Sequence, residues 1–246
     1  MRDGRRMVCA RNHSFDVAAS GYINLLQPQD RRSRHPGDSR DAVAARRRFL
    51  DRGFAAPLLE AMLPFLPPAR TVLDVGCGEG YHLGAFQRSL AAEAHGLDIS
   101  APAIDSAARR YRDCTFVVAN ADRFLPYADR SFDLVTSITS RVNAAEFSRV
   151  LRGSLFLALP GPDDLIELRE AVLGEGKLVD RARDLDGFAV VRRERISHKA
   201  RLDAAAIRDV MTSSYRGLRD SQRDKLERLS ALDVTLSRDL LILRRS

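Results

Sequence analysis

The run Thr71-Val72-Leu73-Asp74-Val75-Gly76-Cys77-Gly78-Glu79-Gly80-Tyr81 decides the fold. An apolar, β-branched stretch breaks into alternating glycines and then into helical spacing, which predicts a strand, a tight turn and a helix start. Such a strand is buried in a parallel sheet, and glycines at 76, 78 and 80 let a ligand lie against the backbone at the sheet's carboxyl edge. The spacing is G-x-G-x-G rather than G-x-G-x-x-G, and Asp74 precedes the turn. Both details favour S-adenosylmethionine over a dinucleotide. The sulfonium nucleoside has no pyrophosphate to set on a helix amino terminus, while its ammonium and ribose need acidic and backbone partners. The next predicted strand, Ala94-His95-Gly96-Leu97-Asp98, ends on an acid about 20 residues past the glycines, where a carboxylate bonds ribose hydroxyls. Asp74, Gly76, Gly78 and Asp98 are therefore expected at the cofactor.

Around this centre strands and helices alternate, as in a doubly wound sheet. Strands are predicted at 71–75, 94–98, 115–119, 132–137 and 154–159, and an antiparallel pair at 188–198 and 233–243 would complete a seven-stranded sheet. Helices are expected at Asp41–Leu50 after a Gly37-Asp38-Ser39 cap, at Leu58–Leu66 after Pro57, and after Ser100 and Asn143. Further ones are expected at 163–173, 203–211 and 221–229. The first two helices should cover the cofactor site. Asn120-Ala121-Asp122, after the third strand, falls at the same sheet edge as Asp98, where methyltransferases using S-adenosylmethionine place polar groups against adenine. Asp122 suits a helix cap equally well.

The 246 residues suit one α/β domain with a small appendage. Nothing resembles a membrane span or secretory leader, which points to a cytoplasmic protein with no membrane partner. Cysteines at 9, 77 and 114 make no disulfide framework. The formal charge is +7, and residues 1–52 hold 12 Arg against 6 Asp, a net +6. Arginine forks pair with phosphates, so this segment suggests a polyanion partner, although 37 Arg against 3 Lys also marks a general arginine bias. Cys9 and His13 have the spacing of half a zinc site; with no Cys-x2-Cys beside them, no metal is expected.

The phrases Phe15-Asp16-Val17-Ala18-Ala19-Ser20-Gly21-Tyr22-Ile23-Asn24-Leu25-Leu26, Arg32-Ser33-Arg34-His35-Pro36-Gly37-Asp38-Ser39 and Ala45-Arg46-Arg47-Arg48-Phe49-Leu50-Asp51 closely resemble the bacterial 23S rRNA (guanine-N1)-methyltransferases. That family includes members conferring macrolide resistance. The likeness continues through 73–81, 96–100 and Pro160-Gly161-Pro162-Asp163-Asp164-Leu165, nearly the whole chain. The resemblance implies an α/β, class I, Rossmann-like S-adenosylmethionine-dependent methyltransferase domain over 37–246. It implies that 1–36 is a reduced zinc-finger-like segment recognising a hairpin of 23S rRNA. It places cofactor contacts on Gly78, Glu79, Asp98 and Asp164. Departures from the family pattern are the missing Cys-x2-Cys, Ala55 where an aromatic residue is usual, Asp164 where some members have His, Arg152-Gly153-Ser154 for a Pro-Gly-Gly turn, and no proline in Ser137-Ile138-Thr139-Ser140-Arg141.

Methyl transfer is an in-line displacement, so positioning dominates. The absence of Asp/Asn-Pro-Pro-aromatic after the fourth strand argues against exocyclic amines, and the absence of a cysteine in a candidate catalytic loop argues against C5-pyrimidine attack. Ring N1 of guanine, the target the resemblance implies, is compatible with what remains, and Asp164 is the candidate base, although it suits a helix cap equally well. A small antibiotic-pathway metabolite as substrate, a non-catalytic RNA-binding role, and association as a homodimer stay open at this stage.

Overall fold

The computed structural model describes residues 2–3, 6–8, 12, 14–27, 36–179, 184–215 and 219–246. Cys9, His13 and the Arg32–His35 part of the resembling phrases lie outside the described residues. Three short strands, β1 (Arg2–Asp3), β2 (Arg6–Val8) and β3 (Ser14–Asp16), form a small antiparallel sheet. A turn at Gly21 then leads to β4 (Ile23–Asn24). Ser39 caps α1 (Arg40–Asp51) by accepting from the Ala42 N–H at 3.2 Å, and Ala42, Val43, Ala45 and Phe49 form its buried stripe. Pro57 sits in the first turn of α2 (Ala56–Met62), which tightens into a 3₁₀ turn at Leu63–Phe65 rather than running to Leu66 as expected. Pro64 is the reason: it has no N–H to continue the α ladder.

The alternating part follows as β5 (Thr71–Val75), α3 (Tyr81–Leu90), β6 (Glu93–Asp98), α4 (Ala101–Arg110), β7 (Cys114–Val118), β8 (Phe132–Ile138), α5 (Ala144–Val150) and β9 (Leu151–Pro160). A single turn, α6 (Ile166–Leu168), leads to β10 (Phe188–Asp203), α7 (Ala204–Ser214), α8 (Asp220–Arg228) and β11 (Ala231–Arg245).

The sheet order is β10-β11-β9-β8-β5-β6-β7-β4. All seven expected strands are present, and β4, parallel to β7, adds an eighth at the edge. The β10–β11 hairpin runs antiparallel, with β11 against β9. Strand order reverses at β5, between β6 and β8, so a crevice opens at the carboxyl ends of these strands.

Alternation along β5 sorts the core. Val72 faces Phe86, Met62, Phe65 and Ile104 with Leu134 and Phe156, whereas Leu73 and Val75 face Leu125 and Phe147 with Val135 and Leu155. These side chains are almost fully buried, each contributing roughly 1.5–3 kcal/mol. Two further local expectations are corrected. The helix expected at 163–173 is only α6 plus a wider π turn at Arg169–Leu173, because the Gly161 and Leu165 N–H groups donate to Ser237 O and Thr235 O at 3.0 and 2.7 Å. Asp122 caps no helix; its N–H donates to Asn120 Oδ1 at 3.0 Å, closing a turn.

Candidate functional site

The crevice is built on the bend between β5 and α3. Gly76 and Gly78 have φ of +76° and +55°, the left-handed region that side chains resist. Their N–H groups are aimed by neighbouring strands. Gly76 and Cys77 donate to Leu97 O at 2.7 and 3.1 Å, and Gly78 donates to Asp98 Oδ2 at 2.9 Å. A Cβ on Gly76 would lie 1.9 Å from Ser140 Oγ, and one on Gly78 would lie 3.3 Å from Arg46 Nη1. The bend is thus approached by the loop after β8 on one side and by α1 on the other.

Four carboxyl groups converge here. The Asp98 Oδ1 accepts from the Ser100 N–H at 2.8 Å; burial pushes this carboxyl up, against the pull of its two backbone donors. Asp74 is buried, accepts from Thr136 Oγ1 at 2.7 Å, and is pushed by burial to about 7. Glu79 is also buried and raised by burial; Arg46 Nη1 stands 3.4 Å from its Oε2, while its Oε1 is buried with no partner. Asp38 pairs with Arg46 Nη2, and its carbonyl accepts from Ser100 Oγ at 2.8 Å, which docks the start of α1 beside Asp98. His82, on the first turn of α3, is held neutral: burial lowers it to about 3, helped by Arg238 and Arg46.

The other expected residues are arranged around this centre. Asn120, Ala121 and Asp122 follow β7, where Ala119 N–H donates to Asp98 O at 3.1 Å. The Ala121 carbonyl accepts from Asn143 Nδ2 at 3.0 Å, and Asp122 pairs with Arg141 at 3.0 Å, tying this turn to the loop after β8. Asp164 lies beyond β9 and is engaged through Oδ1, which accepts from Ser237 N at 2.9 Å and pairs with Arg238 at 2.6 Å. It makes no contact with the bend; Arg238, which acts on His82, is the connection.

Sequence reading did not single out Arg46, Asp38, Ser140 and His82 as site residues. Arg46 left a faint signal, a cation at the border of the stripe formed by Ala42, Ala45 and Phe49. Of the two helices expected to cover the site, α1 does so through Arg46, whereas α2 packs against β10 and β11. The arginine run is paired within the molecule although it stays partly or largely exposed. Arg47 donates to Ser106, Arg48 forks onto Asp209 at 2.6–3.3 Å, and Arg52 forks onto Asp203 at 2.7–2.9 Å.

The residues present fit a cationic nucleoside. The backbone of the bend admits no Cβ at Gly76, where Ser140 closes on it, a buried oxygen of the Glu79 carboxylate has no partner, and Asp98 stands at the neighbouring strand end. Residues 1–34 hold one Cys and one His, and among the described residues no group of His, Cys, Asp and Glu could hold a metal ion. Among the described residues, no helix is long and apolar enough to cross a membrane.

A family model described as "Methyltransferase domain" matches residues 72–155, and one described as "RlmA, N-terminal" matches residues 1–34. The chain is 33% identical over 254 residues to the 23S rRNA (guanine(748)-N(1))-methyltransferase of Streptomyces fradiae, covering 95% of this chain and 89% of that protein. It is 36% identical over 181 residues to YxjB of Bacillus subtilis (strain 168), which is assigned by name to the 23S rRNA (guanine-N(1)-)-methyltransferases. That alignment covers 68% of this chain and 62% of YxjB. Among solved structures, a geranyl diphosphate methyltransferase in complex with SAM superposes with a TM-score of 0.52 at 19% identity, over 86% of this chain and 92% of that one. This last likeness is one of fold.

Proposed function

The chain belongs to the 23S rRNA (guanine-N1)-methyltransferase family, and from that footing we propose that it methylates ring N1 of a guanine in 23S rRNA. The observation that carries the reading is the alignment with the Streptomyces fradiae enzyme over nearly the full chain, and the glycine bend with Asp98 beside it supports it. S-adenosylmethionine is the cofactor, and when bound it supplies an electrophilic methyl group on a sulfonium centre. Asp98 is proposed to hold its ribose and Gly76, Gly78 and Glu79 its amino-acid end. Buried Asp74 would stiffen the bend, and Asn120, Ala121 and Asp122 would border adenine.

Guanine N1 carries a proton that must leave before or during attack. Asp164 is the proposed acceptor. Its contacts with Arg238 and the Ser237 N–H both run through Oδ1, and Oδ2 is proposed to take the proton. With donor and nucleophile held in line, positioning supplies most of the rate. Residues 1–36 are proposed to recognise a hairpin of the rRNA, and a cytoplasmic location follows from that substrate.

Incubation with methyl-labelled cofactor, unmodified large-subunit rRNA and a separate small-metabolite pool tests this. Label is expected in the rRNA at one guanine, read as a reverse-transcription stop. Label confined to the metabolite pool, or to another base, would overturn the substrate assignment.

A further inference from the structure

Arg46 is the guanidinium laid over the bend, and its two ends are held unequally. Nη2 is anchored by Asp38 and reaches Ser213 O at 3.5 Å, whereas Nη1 stands 3.4 Å from Glu79 Oε2, at the loose end of hydrogen-bonding distance. The same Nη1 lies 3.3 Å from where a Cβ on Gly78 would be, so glycine at 78 is what lets the guanidinium rest on the bend backbone. Asp38, Asp74, Glu79 and Asp98 all interact with this centre, an excess of acid around one cation. A ligand whose amino-acid end carries both an ammonium and a carboxylate matches that pattern. The buried, unpartnered Glu79 Oε1 is an acceptor waiting for a donor, and the loosely held Nη1 is a donor waiting for an acceptor.

Resting on the cofactor reading above, we propose that Arg46 is a specificity-determining residue that recognises the carboxylate of the cofactor's amino-acid end, with Asp38 as its anchor. Nη1 exchanges its long contact with Glu79 for the ligand's carboxylate, while Asp38 keeps the guanidinium in place. The bend therefore distinguishes amino-acid-bearing sulfonium nucleosides from truncated ones.

The test measures binding by calorimetry to the full chain, with S-adenosylmethionine and with decarboxylated S-adenosylmethionine. The wild type is expected to prefer the intact compound by about 10- to 100-fold, the size of a charge-assisted hydrogen bond. Arg46→Ala should bring that ratio close to one while binding the decarboxylated compound as the wild type does, and Arg46→Lys should restore part of the preference. A merely structural role would weaken both compounds equally and leave the ratio unchanged, which would overturn the proposal. So would a wild type that binds the two equally. A wild type that binds neither would instead remove the cofactor reading itself.

Discussion

The glycine bend and the α1–α7 seam are made from the same chemistry, arginine against carboxylate, and differ in where it is placed. At the bend Asp74, Glu79 and Asp98 crowd a buried crevice with Arg46 beside them, and burial raises all three carboxyls. At the seam Arg48 and Arg52 fork onto Asp209 and Asp203 with well-formed bonds; both arginines and Asp203 are exposed, and only Asp209 is buried. Taking unpaired charge out of water costs several kcal/mol, whereas exposed pairs contribute little. The costly cluster is where the cofactor is proposed to bind, and the cheap one joins two helices. The lesson concerns charge counts: a net +6 over residues 1–52 reads as a polyanion surface, yet much of α1's share is spent within the molecule.

The contrast is tested most severely at Asp98. Asp98→Ala leaves the Gly78 and Ser100 N–H groups without their acceptor and removes the proposed ribose contact, so cofactor affinity is expected to fall about 10³-fold. Calorimetry showing wild-type affinity would take Asp98 out of the site.

Next in size is a pair of opposed pH effects. Asp74 has a raised value, so the folded state binds the extra proton and stability is lost as pH rises from the ordinary carboxylate range through about 7. His82 has a lowered value, so stability is lost as pH falls from about 6.5 towards 3. In the wild type the two slopes largely cancel between pH 4 and 6.5. Relative to the wild-type profile, Asp74→Asn, which keeps an acceptor for Thr136, should tilt stability upward with pH across that window by about 3 kcal/mol. His82→Gln should unmask the reverse. Urea titrations across this range check both, and parallel profiles for all three proteins would refute the assignment.

The smallest effect belongs to the seam. Arg52→Ala breaks an exposed pair and should leave the urea midpoint without a resolvable shift. A large loss there would erase the distinction between the two regions.

Most of the sheet was legible because apolar β-branched runs between turn residues carry their own local signal. Thr71–Val75 is found where expected, and Glu93–Asp98, Cys114–Val118 and Phe132–Ile138 begin or end within a residue of it. Asp98 could be read because its spacing from the glycines is fixed by one intervening helix. Arg46 could not, since its meeting with Glu79 spans 33 positions of chain and depends on how α1 docks. The segment after β9 misled for the same reason: Asp163 and Asp164 look like helix residues, and tertiary bonds to Ser237 claim them instead. Ile23–Asn24 is too short to announce a strand and becomes one only beside Val117 and Val118.

That borrowed pair of residues sets a rule for anyone dividing the gene. A fragment starting at position 37 would peel Ile23 and Asn24 away and strip the Leu25 N–H from Val118 O. The rim of Cys114–Val118 would then lie bare, inviting a foreign backbone to dock there. Dissection by truncation would report stickiness rather than a missing RNA grip, and point changes within the leading residues are the cleaner instrument.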